Sequence, residues 1–437
     1  MNHPMLTAKE LLRELDLGNL DTRLSGLYGA DALDHQKDRY HALLDRFVAT
    51  FGGDRPVILC TVSGRSELSG NHTDHNHGCV IAAALDLDMI AVAAVNNDGV
   101  MRVSSEGFGD EAVALSDTKK PNPDLYGTSA SLIAGMCAGL SEAGYTVGGF
   151  DACMTSDVKG GSGLSSSAAY EDMIGLILSH LYNEGRVDVV EIAKLSQKAE
   201  NTYFGKPCGL MDQVACAVGG IVAIDFAEPS APVIEPLPFD MTAAGYSLCI
   251  IHTGGSHADL TDEYAAIPRD MKAVANVFGK AVLREVDEAD VQNALPTLRE
   301  RLGDRAVLRA LHFFEENRRV ADQKAALTAA IAGNKQALQV FFDRVRASGR
   351  SSFCYLQNVC VSGETREQGL ALALCLAEKT LGDKGAFRVH GGGFAGTVQA
   401  FVPTPMAEEF RTVMDAVFGR NACSVLRIRP VGAARIC

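Results

Sequence analysis

The chain has no tryptophan, and none of its twelve cysteines forms a Cys-x-x-Cys pair. That spacing excludes a zinc ribbon or a dithiol redox motif, and scattered thiols in a long chain read as reduced, which points to a cytoplasmic compartment. No run of about 20 uncharged apolar residues occurs. The longest apolar region, residues 80–95, is broken by Asp86 and Asp88, so no membrane span is expected. The first residues are followed by a charged amphipathic stretch and not by an apolar core, so no secretory leader is expected. Excess positive charge is also missing. The net charge of −14 argues against a nucleic-acid surface, which needs clustered Lys and Arg. Gly-x4-Gly-Lys-Ser/Thr, the usual nucleotide loop, is absent. What remains is ordinary globular composition, 47% hydrophobic and 22% charged, over 437 residues, enough for two or three cores.

Three glycine- or serine-rich segments stand in order along the chain. The middle one runs Gly160-Gly161-Ser162-Gly163-Leu164-Ser165-Ser166-Ser167-Ala168-Ala169 and opens an apolar helical pattern. Small residues let the backbone approach a polyanion, and the helix that follows turns unpaired N–H groups and a positive dipole end toward it. The segment reads as a triphosphate cradle. The first segment, residues 64–78, crowds Arg65, Glu67, Asn71, His72, Asp74, His75, Asn76 and His77 into a short loop after a strand. Donors and acceptors at that density suit a sugar; three histidines and an aspartate also suit a metal ion, and a solvated polar turn is the plain alternative. The third contains Gly391, Gly393 and Gly396 in Gly-x-Gly-x-x-Gly spacing. A dinucleotide fingerprint needs a helix next, but residues 397–402 alternate as a strand, so a hairpin turn is expected.

Between the second and third segments, Asp212 lies among apolar neighbours in Gly209-Leu210-Met211-Asp212-Gln213. A buried carboxylate needs a partner, and Arg65 is a candidate. Glu200, on the preceding helix, is either a divalent-cation ligand or part of a solvated face.

Periodicity predicts helices over residues 8–15, 35–51, 132–140, 164–181, 187–200, 305–332, 335–347 and 406–418. Strands are expected over 56–61, 79–95, 221–226, 246–252, 386–390, 397–402 and 424–428. The proline-rich stretch 229–238 reads as a linker, which places domains at 1–230 and 231–437. Helices mixed with short, mainly antiparallel strands give an α+β class.

In this order the segments resemble the GHMP small-molecule kinases, and among them the galactokinase family. Gly161 to Ala168 match Pro-x-Gly-x-Gly-Leu-Ser-Ser-Ser-Ala after its proline, and residues 390–396 match the late glycine turn. Residues 64–78 match Gly-Arg-x-Asn-Leu-Ile-Gly-Glu-His-Thr-Asp-Tyr-Asn-Gly-Gly in part, and residues 197–200, 207–213 and 257–269 are similar to the same family. The resemblance implies a two-lobed GHMP fold, with a mixed-sheet N-terminal domain and an antiparallel-sheet C-terminal domain. It also implies ATP-dependent phosphorylation of the anomeric hydroxyl of galactose, by a monomer that uses Mg²⁺.

By position it implies that Asp212 and Arg65 are catalytic, and that Gly161, Ser162, Gly163, Leu164, Ser165, Ser166, Ser167 and Ala168 bind ATP. Ser167 and Glu200 hold Mg²⁺, and Asn71, His72, Asp74, Gly209 and Tyr264 hold the sugar. With Arg65 beside it, Asp212 is expected to be a weak base and mainly an orienting group. Asn71 stands where the family has a glutamate near the sugar's C6, Glu67 where it has an asparagine, and His75 and His77 where it has tyrosine and glycine. An amide at 71 removes repulsion toward a C6 carboxylate, so galacturonate is the alternative substrate. Ser129 lies near the position of the indole that often lines the family's adenine pocket. A non-catalytic sugar sensor is the non-enzyme alternative, and the intact Ser165–Ala169 segment argues against it.

Overall fold

The computed structural model describes residues 5–107, 109–158, 163–254 and 260–437. The chain folds as two compact units, neither contiguous in sequence. Unit 1 is Met1–Arg65, Ala84–Gly219 and Arg429–Cys437; unit 2 is Ser66–Ala83 and Gly220–Ile428. The expected cut at 230/231 is therefore replaced by crossings at 65/66, 83/84, 219/220 and 428/429. The reason is strand length. β1 (Ile58–Ser69) and β2 (Cys79–Val95) are 12 and 17 residues long, so each contributes to both units.

Unit 1 is built on a mixed sheet that also uses β3 (Val100–Ser105), β4 (Asp110–Ala114), β5 (Phe150–Ser156) and, from the C-terminal tail, β12 (Ala434–Arg435). Its order is β12-β1-β2-β5-β3-β4, with β3 and β5 parallel. Helices Ala8–Asp16 and Leu33–Phe51 bury Leu11, Leu15, Tyr40 and Phe47 against Ile90, Val92 and Ile436. The first of these starts at Thr7, whose hydroxyl accepts from the Glu10 N–H while Glu10 accepts from Thr7 N–H, a reciprocal cap. A buried carboxylate, Asp88, fastens the tail: it accepts from Arg429 Nη1 at 2.7 Å and from Arg39, Tyr28 and Thr61. Helices Ser129–Glu142, Ser166–Tyr182 and Val189–Ala199 pack closely. A Cβ on Gly175 would stand 2.6 Å from Ile192, so glycine sets that approach.

Unit 2 contains a four-stranded antiparallel sheet, β11 (Cys423–Leu426), β8 (Tyr246–His252), β10 (Thr397–Pro403) and β9 (Ala386–His390), in that order. Helices Gly369–Leu381 and Ala407–Phe418 cover it through Leu370, Ala373, Phe410 and Met414. A second core joins helices Thr261–Val277 and Asp304–Ile331 through Ile267, Met271, Ala310 and Phe313. β9 and β10 pair with His390 opposite Thr397, so the third glycine segment is the hairpin turn its alternation predicts.

Two local expectations change. The strand expected to end before Gly64 runs through it to Ser69, because a hydrogen at Gly64 leaves room for Val158 and the Leu164 carbonyl, 3.0 and 3.2 Å from where a Cβ would stand. The expected linker contains β7 (Val233–Leu237), which pairs with β6 (Ile221–Asp225); Pro236 sits at this edge, where a missing N–H is tolerated. No described helix is long and apolar enough to cross a membrane.

Candidate active site

In unit 1, β1 delivers Arg65 to the first turn of helix Met211–Val218, where Asp212 lies near the positive end of the helix dipole. The pair is bidentate: Arg65 Nε donates to Asp212 Oδ1 and Nη2 to Oδ2, both at 2.7 Å. Ser165 Oγ donates to Oδ2 as well. Burial alone would raise the Asp212 carboxyl, but Arg65, the Ser165 hydroxyl and Lys206 outweigh it and hold the group below its ordinary value. Arg65 also clamps the cradle, since its backbone N–H donates to Leu164 O and Nη1 to Gly163 O. Ser165 has φ 63° and ψ 56°, a left-handed conformation just before helix Ser166–Tyr182. A non-glycine residue held there stores strain, which surrounding contacts must offset. Gly161 and Ser162, assigned to ATP, lie outside the described residues, as does His257. Ala168 is buried on the inner face of the helix, and Gly209 is half-buried in the loop before Met211.

Ser167 Oγ stands 3.5 Å from Glu200 Oε1. Glu200 is 3% exposed and opens a π-helical turn, Glu200–Phe204. Behind it sit Gln213, the last residue of the Asp212 segment, and Glu171, which no sequence motif singles out. Gln213 Nε2 donates to Glu200 Oε2 at 3.0 Å and to Glu171 Oε2 at 3.3 Å. Glu171 is fully buried, and its Oε1 has no hydrogen-bond partner among the described residues. Burial, then repulsion from Glu200 and Asp172, pushes its carboxyl well above the ordinary range. The available signal was Glu171 four residues after Ser167, on the same face of an otherwise apolar helix. Oxygen ligands from one hydroxyl and one buried carboxylate, with phosphates completing the shell, suit Mg²⁺. Lys206 Nζ, 3.2 Å from Glu200 Oε1 on a side chain 63% exposed, shares that carboxylate.

Beside this pair a cavity of about 450 Å³ is lined by Ser129, Ser166 and Ser167, by Glu106 and Glu111, and by apolar side chains that include Leu132 and Met154. Ser129, near the position of the family's missing indole, lines this cavity.

In unit 2 the polar loop is held against the glycine turn. His72, at φ 58°, donates from Nε2 to Gly392 O at 2.9 Å. Burial lowers its imidazole to about 4, so the ring is neutral. Asn71 is completely buried. Its Nδ2 donates to Gly391 O at 2.7 Å and to Glu67 Oε1 at 3.2 Å, and its Oδ1 accepts from Asn358 and Ser352. All four hydrogen-bonding positions of the amide are filled, so a uronate carboxylate finds no free donor there. Glu67 is paired with buried Arg388 at 2.8 Å. Tyr264 donates to Gly393 O at 2.9 Å and packs edge-on against Phe394. Asp74 is 16% exposed on a short 3-10 turn, and His75 is exposed beside it. Among the described residues no group of three His, Cys, Asp or Glu is placed to hold a metal ion, and the metal reading of this loop falls.

Residues 130–220 match the family description "GHMP kinases N terminal domain", and residues 45–95 match "Galactokinase galactose-binding signature". A galactokinase of Streptomyces coelicolor is 31% identical over 400 residues, 90% of this chain and 97% of that one. The chain belongs to the galactokinase family. A second member, from Glaesserella parasuis, is 30% identical over 80% of this chain and 86% of its own. The solved Lactococcus lactis galactokinase complexed with galactose superposes with TM-score 0.73 at 25% identity, covering 90% of this chain and 98% of that one. A solved mevalonate kinase shares the GHMP fold at TM-score 0.59 and 14% identity, covering 85% of this chain and 99% of that one. The α+β class and the mixed and antiparallel sheets agree with galactokinase-family membership.

Proposed function

We propose that this galactokinase-family chain transfers the γ-phosphoryl group of ATP to the anomeric hydroxyl of galactose, giving galactose 1-phosphate and ADP. The Arg65–Asp212–Ser165 assembly at the phosphate cradle carries the reading. The sugar oxygen forms the new P–O bond, the bond from the γ-phosphorus to its bridging oxygen breaks, and that electron pair leaves on ADP. Asp212 orients the hydroxyl and takes its proton as the new bond forms. Its depressed basicity makes positioning the larger contribution, in keeping with phosphoryl transfer generally. Arg65 fixes Asp212 and places positive charge beside the transferring group. Ser167 and Glu200 are the proposed Mg²⁺ ligands, and the ion when bound neutralises phosphate charge. Gly163, Leu164, Ser165 and Ser166 contact the phosphates.

His72, Asp74, Gly209 and Tyr264 hold the sugar. Asn71 supports the loop from beneath, and its filled amide favours galactose over galacturonate. Twelve unbridged cysteines support a cytoplasmic location. We take the working unit to be a monomer, which light scattering would check.

Asp212→Asn keeps the shape and removes the charge. Galactose-dependent ADP release is expected to fall about 10²–10⁴-fold, while ADP still binds by calorimetry. Near-normal turnover would remove Asp212 from its role.

A further inference from the structure

Helix Met211–Val218, which carries Asp212 in its first turn, is eight residues long, too short to be stable alone. The Arg65 fork holds its N-terminal end. Its C-terminal end is held by contacts that the proposed mechanism does not use, all of them within unit 1. The last carbonyls of a helix have no partner inside it and must find one elsewhere. Ala217 O accepts from the Ala433 N–H at 2.9 Å, and Cys216 O accepts from the Ser63 hydroxyl at 3.1 Å. Gly432 lies against the same carbonyls: a Cβ there would stand 2.4 Å from Ala217 O and 2.5 Å from Cys216 O. The turn that presents Gly432 is locked by the buried side chain of Arg429. Its Nε donates to Val431 O, its Nη2 to Gly432 O, and its Nη1 to Thr61 Oγ1 at 2.8 Å and to Asp88. Thr61 faces Ala434 in the β1–β12 ladder and precedes Arg65 by four residues on the same strand. One short segment therefore holds both elements that carry the pair, the strand of Arg65 and the helix of Asp212.

We propose that the C-terminal segment 429–434 is a positioning element for phosphoryl transfer, and that Gly432, with Ser63 of β1, sets where Asp212 stands. The inference rests on the kinase reading, in which Asp212 orients the sugar hydroxyl. Asp212 and Ala217 are five residues apart, about 7.5 Å along the helix axis. Over so short a span the hydrogen-bonded helix moves as one body, and close-packed surroundings transmit the strain. A displacement at Ala217 therefore reaches Asp212. The backbone of Gly432 is not in the left-handed region, so alanine there adds only a methyl group that pushes the helix end away. A shift of about 1 Å at a reacting group costs about 10²-fold in rate. Neither Gly432 nor Ser63 is assigned to ATP, Mg²⁺ or sugar, so the loss falls on turnover and not on substrate binding.

The test uses the full chain and coupled ADP release with galactose, normalised to the fraction of molecules that bind ADP by calorimetry. Gly432→Ala and Ser63→Ala are compared with wild type and with Gly385→Ala, a control for clash alone. Gly385 lies in unit 2, and a Cβ on it would stand 2.5 Å from Phe401 O. Gly432→Ala is expected to lower kcat about 10–100-fold, and Ser63→Ala, which deletes one hydrogen bond and adds no atom, about 2–10-fold. Galactose and ATP KM stay within about twofold in both, while Gly385→Ala loses melting temperature and keeps kcat within about twofold. In an Arg65→Lys background the fork is already lost, so Gly432→Ala lowers kcat further by less than about threefold. The inference is overturned if the folded fraction of both variants turns over at the wild-type rate. It is equally overturned if Gly432→Ala loses as much in Arg65→Lys as in wild type, or if Gly385→Ala loses kcat as Gly432→Ala does. Should Gly432→Ala fail to fold, Ser63→Ala decides by its kcat and by the same cycle with Arg65→Lys. Failure of the underlying reading looks different: wild type itself then releases no ADP with galactose.

Discussion

Replacing Arg65 with lysine keeps the charge and removes the fork. In the native pair two parallel N–H···O bonds of 2.7 Å join Arg65 to both oxygens of Asp212, and a third donor reaches Gly163 O. One ammonium cannot reproduce that geometry. Each charge-assisted bond is worth about 1.5–3 kcal/mol when fully buried. Asp212 is 34% exposed, so water screens the pair, and loss of one bond plus misplacement of the other is expected to cost about 1–2 kcal/mol of anchoring. The effect on rate is larger, because the guanidinium also faces charge that develops in transfer; removal of one such donor typically costs about 10²–10³-fold in turnover. The assay is coupled ADP release with galactose, from pH 5 to 9, on wild type, Arg65→Lys, Asp212→Asn and the double variant. If Arg65 acts through Asp212, the double variant is less impaired than the product of the singles, with a coupling of at least about 1.4 kcal/mol. In wild type Asp212 is held ionised below the ordinary carboxylate range, so this group imposes no acid limb above pH 5. The weaker hold in Arg65→Lys shifts any such limb toward higher pH. Additive losses within about 0.5 kcal/mol, or a lysine variant as active as wild type, would refute the reasoning.

The glycine turn supplies an internally controlled pair. Gly393→Ala places a Cβ 2.1 Å from Asn358 O at φ 83°, whereas Gly391, at φ 64°, has no described atom within 4 Å. The first is expected to cost about 2–4 kcal/mol and to raise galactose KM, and the second only about 1–2 kcal/mol for the left-handed backbone. Equal melting shifts for the two would contradict the packing argument. Glu316 tests the support under the polar loop. It accepts from Gly70 N–H at 3.1 Å and from Ser348, and it pairs with Arg319 at 2.6 Å. Burial opposes its ionisation, but Arg319, His312, Arg388 and Ser348 prevail and bring it to about 2. A depressed carboxyl stabilises the fold above its unfolded value and loses that contribution as pH falls through the folded one. Glu316→Gln is therefore expected to be destabilised by up to about 3 kcal/mol at pH 7 in urea unfolding. The gap should narrow between pH 5 and 2, and a gap independent of pH would refute the linkage.

The sequence by itself determined the family, the order of the three segments and the main helices and strands, because those signals are local. Glycine and serine at fixed spacing dictate where a backbone can approach phosphate, and periodicity dictates which face is buried. The hairpin around Gly391–Gly396 was legible for the same reason, since a β-branched alternation cannot continue as a helix. The Arg65–Asp212 pair was expected although 147 residues separate its members, but most of what depended on partners distant in sequence waited for the tertiary structure. Residues 66–83 belong with residues 220–428, a placement no linker composition could reveal, because two long strands and not a flexible segment carry the chain between units. Asn71 read as an altered substrate contact; folding fills its amide with Glu67, Gly391, Asn358 and Ser352, so its chemistry is internal. Glu171 carries no motif of its own, and Gln213 was legible only as the residue after Asp212. Their significance comes from burial and from which of their polar atoms are left paired or unpaired, and only the packed chain decides that.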